Sequence, residues 1–156
     1  MKIFKKRINY IRKSKLDLID KKYSEEELEK HADSFNELDW YYISKYQSLS
    51  ESFIKKYSHK FWWGDISAYQ SLSEKFIEKY SDKVNWTYIS RYQELSETFV
   101  EKYLDKVNWI NISYSQKLSE PFIKKYFNKI DVDCLMNNKY ISKEFKNEIK
   151  TLKEII

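Results

Sequence analysis

Glycine, proline and cysteine each occur only once in this chain of 156 residues, as Gly64, Pro121 and Cys134. Glycine and proline supply tight turns between strands, collagen-like segments and flexible linkers, so their scarcity argues against all three. A lone cysteine excludes an internal disulfide and is typical of a reducing compartment. We therefore expect an all-α protein of the cytoplasm.

Long apolar runs are missing as well. The chain has no run of 18 or more apolar residues, so we expect no membrane span. Residues 1–22 are basic but contain neither an apolar central region nor a small-residue cleavage site, which argues against a secretory signal. Because Asp17, Asp20 and Glu25 offset that positive charge, a membrane-surface role for this segment is the weakest functional hypothesis, and we expect no membrane partner.

Side chains that carry catalysis or bind metals are also scarce. His31 and His59 are the only histidines, and neither has a metal-ligand partner at suitable spacing. Gly64 alone cannot form a phosphate-binding loop. Cys134 falls at a repeat position that we expect to face the core, as a buried structural thiol. We therefore predict a non-enzymatic protein with no cofactor and with no catalytic or metal-binding residues.

In contrast, the chain is rich in internal repetition. Trp40, Trp63, Trp86 and Trp109 lie 23 residues apart, and Val132 takes the next place. Isoleucine, glutamine, leucine–serine and phenylalanine recur at fixed distances after each tryptophan. A fixed period of this length is typical of stacked supersecondary units. We therefore predict an α-solenoid of stacked 23-residue helix–turn–helix repeats.

The predicted solenoid forms a single domain over residues 1–156. Its parts are an N-terminal helical cap in residues 1–38, four repeats in residues 39–131, and a degenerate fifth repeat with the C-terminal cap in residues 132–156. The N-terminal cap is expected to contain a basic amphipathic helix with the apolar residues Ile3, Phe4, Ile8 and Ile11, and a second helix that opens at Ser24. Atypical end units of this kind cover the exposed core of a solenoid.

Each repeat is expected to contain two helices that stacking must stabilise, A of about eight residues and B of about eleven. Polar side chains that can satisfy a first-turn amide precede both. The expected caps of helix A are Asp39, Asn85, Asn108 and Asp131, and those of helix B are Ser50, Ser73, Ser96 and Ser119. Trp62 replaces the cap residue in the second repeat, so that A helix should begin less regularly.

Four glutamines recur seven residues after each tryptophan, as Gln47, Gln70, Gln93 and Gln116. Helical spacing turns them toward the same inward face as the tryptophan and the isoleucine. A buried amide without a hydrogen bond would be strongly unfavourable. We therefore interpret the glutamines as a structural ladder in which each amide bonds the backbone of an adjacent turn.

One repeated feature exceeds what folding requires, namely a pair of lysines in each of four successive repeats. This lysine ladder consists of Lys56 and Lys60, Lys79 and Lys83, Lys102 and Lys106, and Lys125 and Lys129. Members of a pair are four residues apart, so both amines should lie on one flank of helix B. The ladder could meet an acidic protein surface or a phosphate backbone. Alternatively, these lysines complement helix dipoles and cover apolar surface, and duplication copied them.

Tyr46, Tyr69 and Tyr92 form a second candidate row on the flank of helix A, which Ser115 interrupts in the fourth repeat. Aromatic side chains among lysines could stack on single-stranded bases. The alternative is that these rings pack between repeats with their hydroxyls in water.

The repeated pattern W-x-x-I-S-x-x-Q-x-L-S-E-x-F-I-x-K-Y, carried by the stretch from Trp86 to Tyr103, resembles a short repeat in uncharacterised proteins of bacteriophages and large DNA viruses. The resemblance covers roughly residues 40–150. The fifth copy departs from it, with Val132, Met136 and Lys139 in place of tryptophan, serine and glutamine. The resemblance implies a viral or prophage origin, with the cytoplasm of a host cell as the place of action.

Helical solenoids present extended surfaces to other proteins, so our first functional hypothesis is a protein-binding scaffold. The net charge of +5 favours a partner with an acidic surface. In a phage or viral setting that partner would be a host factor, such as a defence protein that the chain inhibits. The alternative hypothesis is nucleic-acid binding along the lysine ladder, although only three arginines are available for reading bases.

Overall fold

The structure, a computed structural model, describes residues 16–155. In that range it contains eleven α-helices, one 3₁₀ helix (Ala32–Ser34) and no strand, which confirms the predicted all-α class. The α-helices are α1 (Glu25–Glu29), α2 (Glu37–Tyr46), α3 (Glu51–Lys56), α4 (Trp63–Tyr69), α5 (Glu74–Lys79), α6 (Trp86–Tyr92), α7 (Glu97–Lys102), α8 (Trp109–Ser115), α9 (Glu120–Lys125), α10 (Val132–Met136) and α11 (Lys143–Ile155).

The described residues group into two compact units, and the boundary between the units lies between Gln70 and Ser71. The first unit contains α1–α4, and in it the A helices α2 and α4 pack against each other. The second unit contains α5–α11, and in it α6 packs against α8 and α8 packs against α10. Helices A and B alternate along the sequence with the 23-residue period, so the predicted stacking of helical repeats is confirmed.

The A helices of the second unit begin where the sequence predicted. Asn85, Asn108 and Asp131 cap α6, α8 and α10, and their side-chain oxygens accept hydrogen bonds from first-turn amides at 3.1, 3.0 and 2.8 Å. Trp62 makes no capping hydrogen bond at the start of α4, as its apolar side chain requires. The capping serines Ser50, Ser73, Ser96 and Ser119 are confirmed at the four B helices.

The prediction that Asp39 caps the first A helix is wrong. That helix, α2, begins at Glu37 with Asn36 as its cap, and Asp39 is its third residue. The Asn36 side chain accepts from the Asp39 amide at 3.0 Å, and the Asp39 carboxylate accepts from the Asn36 amide at 3.1 Å. This reciprocal capping box satisfies two amides and favours the earlier start. It lengthens α2 to ten residues, against seven in α4, α6 and α8.

The B helices are shorter than predicted, since each of α3, α5, α7 and α9 has six residues. They end before a tyrosine whose ψ angle is positive, for example 31° at Tyr80 and 36° at Tyr103. A turn follows, in which the Lys83 amide donates to the Tyr80 carbonyl at 2.9 Å. Polar residues that favour turns over helix occupy this segment, such as Asp82 and Asp105.

The core repeats with the period of the sequence. Fully buried isoleucines lie on four A helices, namely Ile43, Ile66, Ile89 and Ile112. Each B helix adds a buried phenylalanine and an aliphatic residue, as with Phe99 and Val100 in α7. Burial of one such side chain stabilises the folded state by about 1.5–3 kcal/mol. Helices of five to seven residues would not persist alone, so stacking supplies their stability.

The structural interpretation of the glutamines is confirmed within each unit. Gln116 donates its amide to the carbonyls of Ser90 and Gln93 at 2.9 and 2.8 Å, and its oxygen accepts from the Leu95 amide at 3.1 Å. Gln70 bonds the backbone of the preceding repeat in the same way in the first unit. Each glutamine therefore joins its own A helix to the turn that follows the preceding A helix.

Hydrogen bonds of the same kind, from a buried side-chain amide to the backbone of the preceding turn, occur at both ends of the described chain. Gln47 donates to the carbonyls of Leu18 and Lys21 at 2.9 Å, and it accepts from the Tyr23 amide at 2.9 Å. Residues 16–22 are not helical and contain a turn at residues 18–20. The apolar positions of the predicted basic helix, Ile3, Phe4, Ile8 and Ile11, lie outside the described residues. The described part of the N-terminal cap is thus a degenerate repeat, offset by 26 residues because α2 is longer.

At the far end, Asn138 rather than Lys139 occupies the place of the glutamine. The helix α10 has only five residues, which brings Asn138 into register one position earlier. Its amide donates to the carbonyls of Ser113 and Gln116 at 2.8 Å, and the side chain is fully buried. At this end of the second unit, asparagine therefore makes the same amide-to-carbonyl hydrogen bonds as the glutamines, with a shorter side chain.

The recurring Ser-Glu pair joins neighbouring B helices, which the sequence did not predict. The Glu97 carboxylate accepts from the amide of Ser119 at 2.5 Å and from its hydroxyl at 3.1 Å. Glu74 accepts from the Ser96 amide at 2.6 Å in the same way. Each serine caps its own helix, and Glu74 and Glu97 each bond the serine of the next repeat, so these residues have structural roles.

Candidate functional site

All eight residues of the lysine ladder are exposed, but they do not all lie on helix B. Because each B helix ends at the first lysine of a pair, the second one belongs to the turn that follows. The prediction that both amines lie on one helical flank is therefore wrong. The turn nevertheless brings the two amines of a pair near each other, because both approach the same tyrosine ring in two repeats.

Those ring contacts are specific and recur with the period. The Nζ atoms of Lys102 and Lys106 lie 5.7 and 5.8 Å from the centre of the Tyr103 ring. The same ring lies 4.8 Å from that of Phe99 in the core, and Lys106 also lies 5.6 Å from the Trp86 ring. Cations over aromatic faces are attracted by the ring quadrupole. The lysines thus cover the rim of the aromatic core.

Carboxylates of the preceding repeat pair with the first lysine in three repeats. The Nζ atom of Lys125 lies 2.8 Å from the Glu101 carboxylate, and Lys102 pairs with Glu78 in the same way. In the first unit Lys56 pairs with Glu29 at 2.8 Å. The hydrogen bonds to these carboxylates raise the pKa of each lysine. Part of the positive charge of the ladder is therefore compensated within the chain.

The three candidate tyrosines have different surroundings. Tyr46 and Tyr69 of the first unit lie beside Lys45, whose Nζ atom is 5.4 Å from each ring centre. A hydrogen bond to the Tyr41 hydroxyl raises the pKa of Lys45. Tyr92 of the second unit is 59 % exposed, and its ring lies 6.1 Å from that of Tyr88.

Several positions on the A helices and in the turns after them differ between repeats, whereas the core isoleucine, the glutamine and the capping serine are constant. Two residues after the tryptophan, successive repeats have Tyr42, Asp65, Tyr88 and Asn111. Five residues after it they have Lys45, Ala68, Arg91 and Tyr114. Eight residues after it they have Ser48, Ser71, Glu94 and Lys117. A stacked repeat needs identity only where repeats contact each other. The varied positions are therefore those at which one repeat can differ from the next in what it binds.

In the first unit, a cleft of about 830 Å³ opens beside Trp62. The Trp62 side chain is 81 % exposed, and Leu38 on the same cleft is 40 % exposed. Asp65 and Glu37 also line the cleft, together with Lys60 of the ladder. Burial raises the pKa of Asp65, and the positive charge of Lys45 opposes that shift. The cleft thus combines an exposed indole with polar groups of both signs.

The second unit carries a groove of about 880 Å³ along the turns between its A and B helices. Three exposed tyrosines, Tyr92, Tyr114 and Tyr140, line it. Arg91 and Lys117 line the same groove. Of the residues that line the groove, only Tyr92 was a candidate predicted from the sequence, because Arg91, Tyr114 and Lys117 occupy positions that vary between repeats.

Cys134 does not face the core as predicted. It is the third residue of α10, where its amide donates to the capping Asp131 at 2.8 Å, and its side chain is only partly buried. The position corresponds to Tyr88 and Asn111 in earlier repeats, which also point away from the core axis of the unit. Burial and the neighbouring Asp131 raise the pKa of the thiol, which disfavours the reactive thiolate at neutral pH.

Over residues 16–155, no three histidine, cysteine or acidic side chains are grouped so that they could hold a metal ion. Among the helices of that same range, none combines the length and apolarity needed to cross a membrane. Comparison with family models, with curated proteins and with solved structures finds no match to this chain.

Proposed function

We propose that this chain is a non-enzymatic helical-repeat scaffold that binds another protein, with Trp62 at the centre of one contact. The observation that carries the proposal is the 81 % exposure of Trp62 at a position where the later repeats have a helix-capping asparagine or aspartate. A cap contributes about 1 kcal/mol to the stability of a helix. The second repeat lacks that contribution and instead exposes an indole to water, which folding does not explain.

Exposed tryptophans are suited to protein recognition. When a partner covers them, they are among the residues whose removal weakens protein interfaces most, commonly by about 2–4 kcal/mol. The neighbouring Leu38 enlarges the apolar area, and the cleft offers hydrogen-bonding groups around it. The carboxylates of Asp65 and Glu37 in the same cleft would repel a phosphate backbone. This chemistry supports a protein as the partner at this site.

The net charge of +5 favours a partner whose surface is acidic elsewhere. The resemblance to phage and viral repeats favours a host factor, such as a defence protein that the chain inhibits in the host cytoplasm. The lysine ladder favours nucleic acid as the alternative, since eight exposed amines recur in register. Against this alternative, the ladder contacts core aromatic rings and carboxylates of the chain itself.

Affinity capture from a nuclease-treated lysate tests the proposal. The wild-type chain is compared with Trp62→Asn, and Ile110→Asn serves as the matched control, because Ile110 is 55 % exposed and lies outside the cleft. We expect one protein to be retained by the wild type and by the control but depleted about tenfold or more with Trp62→Asn. Equal recovery with all three chains, or loss of every captured protein on nuclease treatment, would overturn the proposal.

A further inference from the structure

The groove of the second unit has a composition that folding does not explain. It is formed by equivalent segments of three successive repeats, residues 91–96, 114–117 and 137–140. The structural glutamines in these segments are fixed by their backbone contacts. Arg91, Tyr114 and Lys117, which also line the groove, occupy positions that vary from repeat to repeat.

Positive charge predominates in this groove. Arg91, Lys117 and Lys139 line it, against a single carboxylate, that of Glu94. Three exposed tyrosine rings lie among these charges, and the exposed fraction of the Tyr140 side chain is 47 %. A cationic groove with aromatic walls is complementary to a ligand that carries both negative charge and apolar groups.

The arrangement of cations and rings favours carboxylates over nucleobases. The Arg91 guanidinium lies 3.9 Å from the centre of the Tyr114 ring, and the Lys139 amine lies 4.8 Å from the centre of the Tyr140 ring. A base that stacked on either of these ring faces would have to displace the cation. A carboxylate can instead pair with the cation while it remains over the ring, because guanidinium groups bind carboxylates at their edge.

The dimensions suit a short stretch of extended chain. Stacked helices are about 8–10 Å apart, so three repeats span about 20 Å along the groove. An extended chain advances about 3.3 Å per residue, so about six residues would cover that distance. In an extended segment, alternate side chains point to opposite sides. The side chains on one side of the bound segment would contact the cations of the groove, while its backbone would lie over the tyrosine rings.

We infer that this groove binds an extended, acidic polypeptide segment of a partner protein. Its carboxylates pair with Arg91, Lys117 and Lys139, and its apolar atoms pack on Tyr92 and Tyr114. The inference rests on the proposed function to the extent that the partner is a protein. It concerns a different surface from the Trp62 cleft.

Selection of random twelve-residue peptides displayed on phage against the immobilised full-length chain tests the inference. We expect the selected peptides to be enriched in aspartate and glutamate. Lys117→Gln combined with Lys139→Gln should weaken the binding of a selected, synthesised peptide about tenfold. The matched control, Lys75→Gln combined with Lys150→Gln, removes the same charge from exposed positions outside the groove, and it should leave binding within about twofold.

Three results would overturn the inference, namely a selection without acidic enrichment, an equal loss with both double variants, and tighter binding of an eight-nucleotide thymidine oligomer than of the peptide at the same salt. Trp62→Asn should leave peptide binding unchanged. Failure of the peptide experiment while Trp62→Asn abolishes capture contradicts this inference alone. Normal capture by Trp62→Asn together with groove-dependent peptide binding contradicts the role of Trp62 alone.

Discussion

At the scale of single residues, the buried amides hold neighbouring repeats together. Gln116 is 4 % exposed, and three backbone groups of the preceding repeat bond its side chain. Gln116→Ala leaves those groups buried and unpaired, so we expect a loss of roughly 1–3 kcal/mol in the free energy of unfolding. The exposed neighbour Lys117 provides the control, since Lys117→Ala should change that value by less than about 0.5 kcal/mol. Denaturant unfolding of both variants checks this, and equal stability would contradict the structural role.

The glutamate–lysine pairs predict a dependence of stability on pH. The hydrogen bond from Lys125 lowers the pKa of Glu101 below the ordinary glutamate value of 4.5. A carboxyl whose pKa is lower in the folded state contributes stability above its unfolded pKa, and this contribution is lost as the pH falls through the folded pKa. We therefore expect the stability of the wild type to fall more steeply below pH 4.5 than that of Glu101→Gln. Denaturant midpoints measured from pH 7 to pH 3 provide the comparison, and parallel curves would refute this assignment.

At the scale of helices, the start of α4 links stability to function. Trp62 occupies the N-cap without a capping bond, whereas Asn85 and Asn108 cap the equivalent helices α6 and α8. Trp62→Asn should therefore raise the free energy of unfolding by about 1 kcal/mol while it removes the proposed binding residue. Thermal or denaturant unfolding measures the gain. If Trp62→Asn instead lowers the free energy of unfolding, the indole contributes to folding, and its exposure would no longer support a role in binding.

Helix starts were more predictable from the sequence than helix ends. The capping serines and asparagines act through local hydrogen bonds, so spacing alone identified them. Each B helix ends earlier than predicted, at a turn that polar residues such as Asp82 favour, because the helical spacing of the apolar residues continues past that end. The earlier start of α2 arose from a competing capping box between Asn36 and Asp39, and the shorter α10 moved Asn138 into register.

At the scale of the whole chain, repetition revealed the scaffold more readily than the binding surfaces. The lysine ladder was found because it recurs, and the contacts of Lys102 and Lys106 give that recurrence a structural reason. Trp62 was noticed as a missing cap, but its exposure required the fold. The groove combines Tyr92, which belongs to the recurring tyrosine row, with Arg91, Tyr114 and Lys117 at positions that differ between repeats, so the period indicated only part of it.

Constant residues therefore build the repeats, and the varied residues are proposed to recognise the partner. Eight regularly repeated lysines would bind nucleic acid mainly through phosphates, with little dependence on sequence. A protein-binding scaffold whose ladder covers its own aromatic core should bind nucleic acid only weakly. The two accounts differ in affinity and in salt dependence, which makes them separable without knowledge of the partner.

The most direct measurement is a titration of labelled single- and double-stranded oligonucleotides at two salt concentrations. We expect a Kd no tighter than about 0.1 mM at physiological salt, the weak end of non-specific binding. The quadruple variant Lys79→Gln, Lys83→Gln, Lys102→Gln and Lys106→Gln should behave like its control, which carries Lys55→Gln, Lys75→Gln, Lys143→Gln and Lys150→Gln. Binding at about 1 μM or tighter, with a log–log salt slope of about −4 or steeper that only the ladder variant reduces, would contradict the proposed protein-binding role.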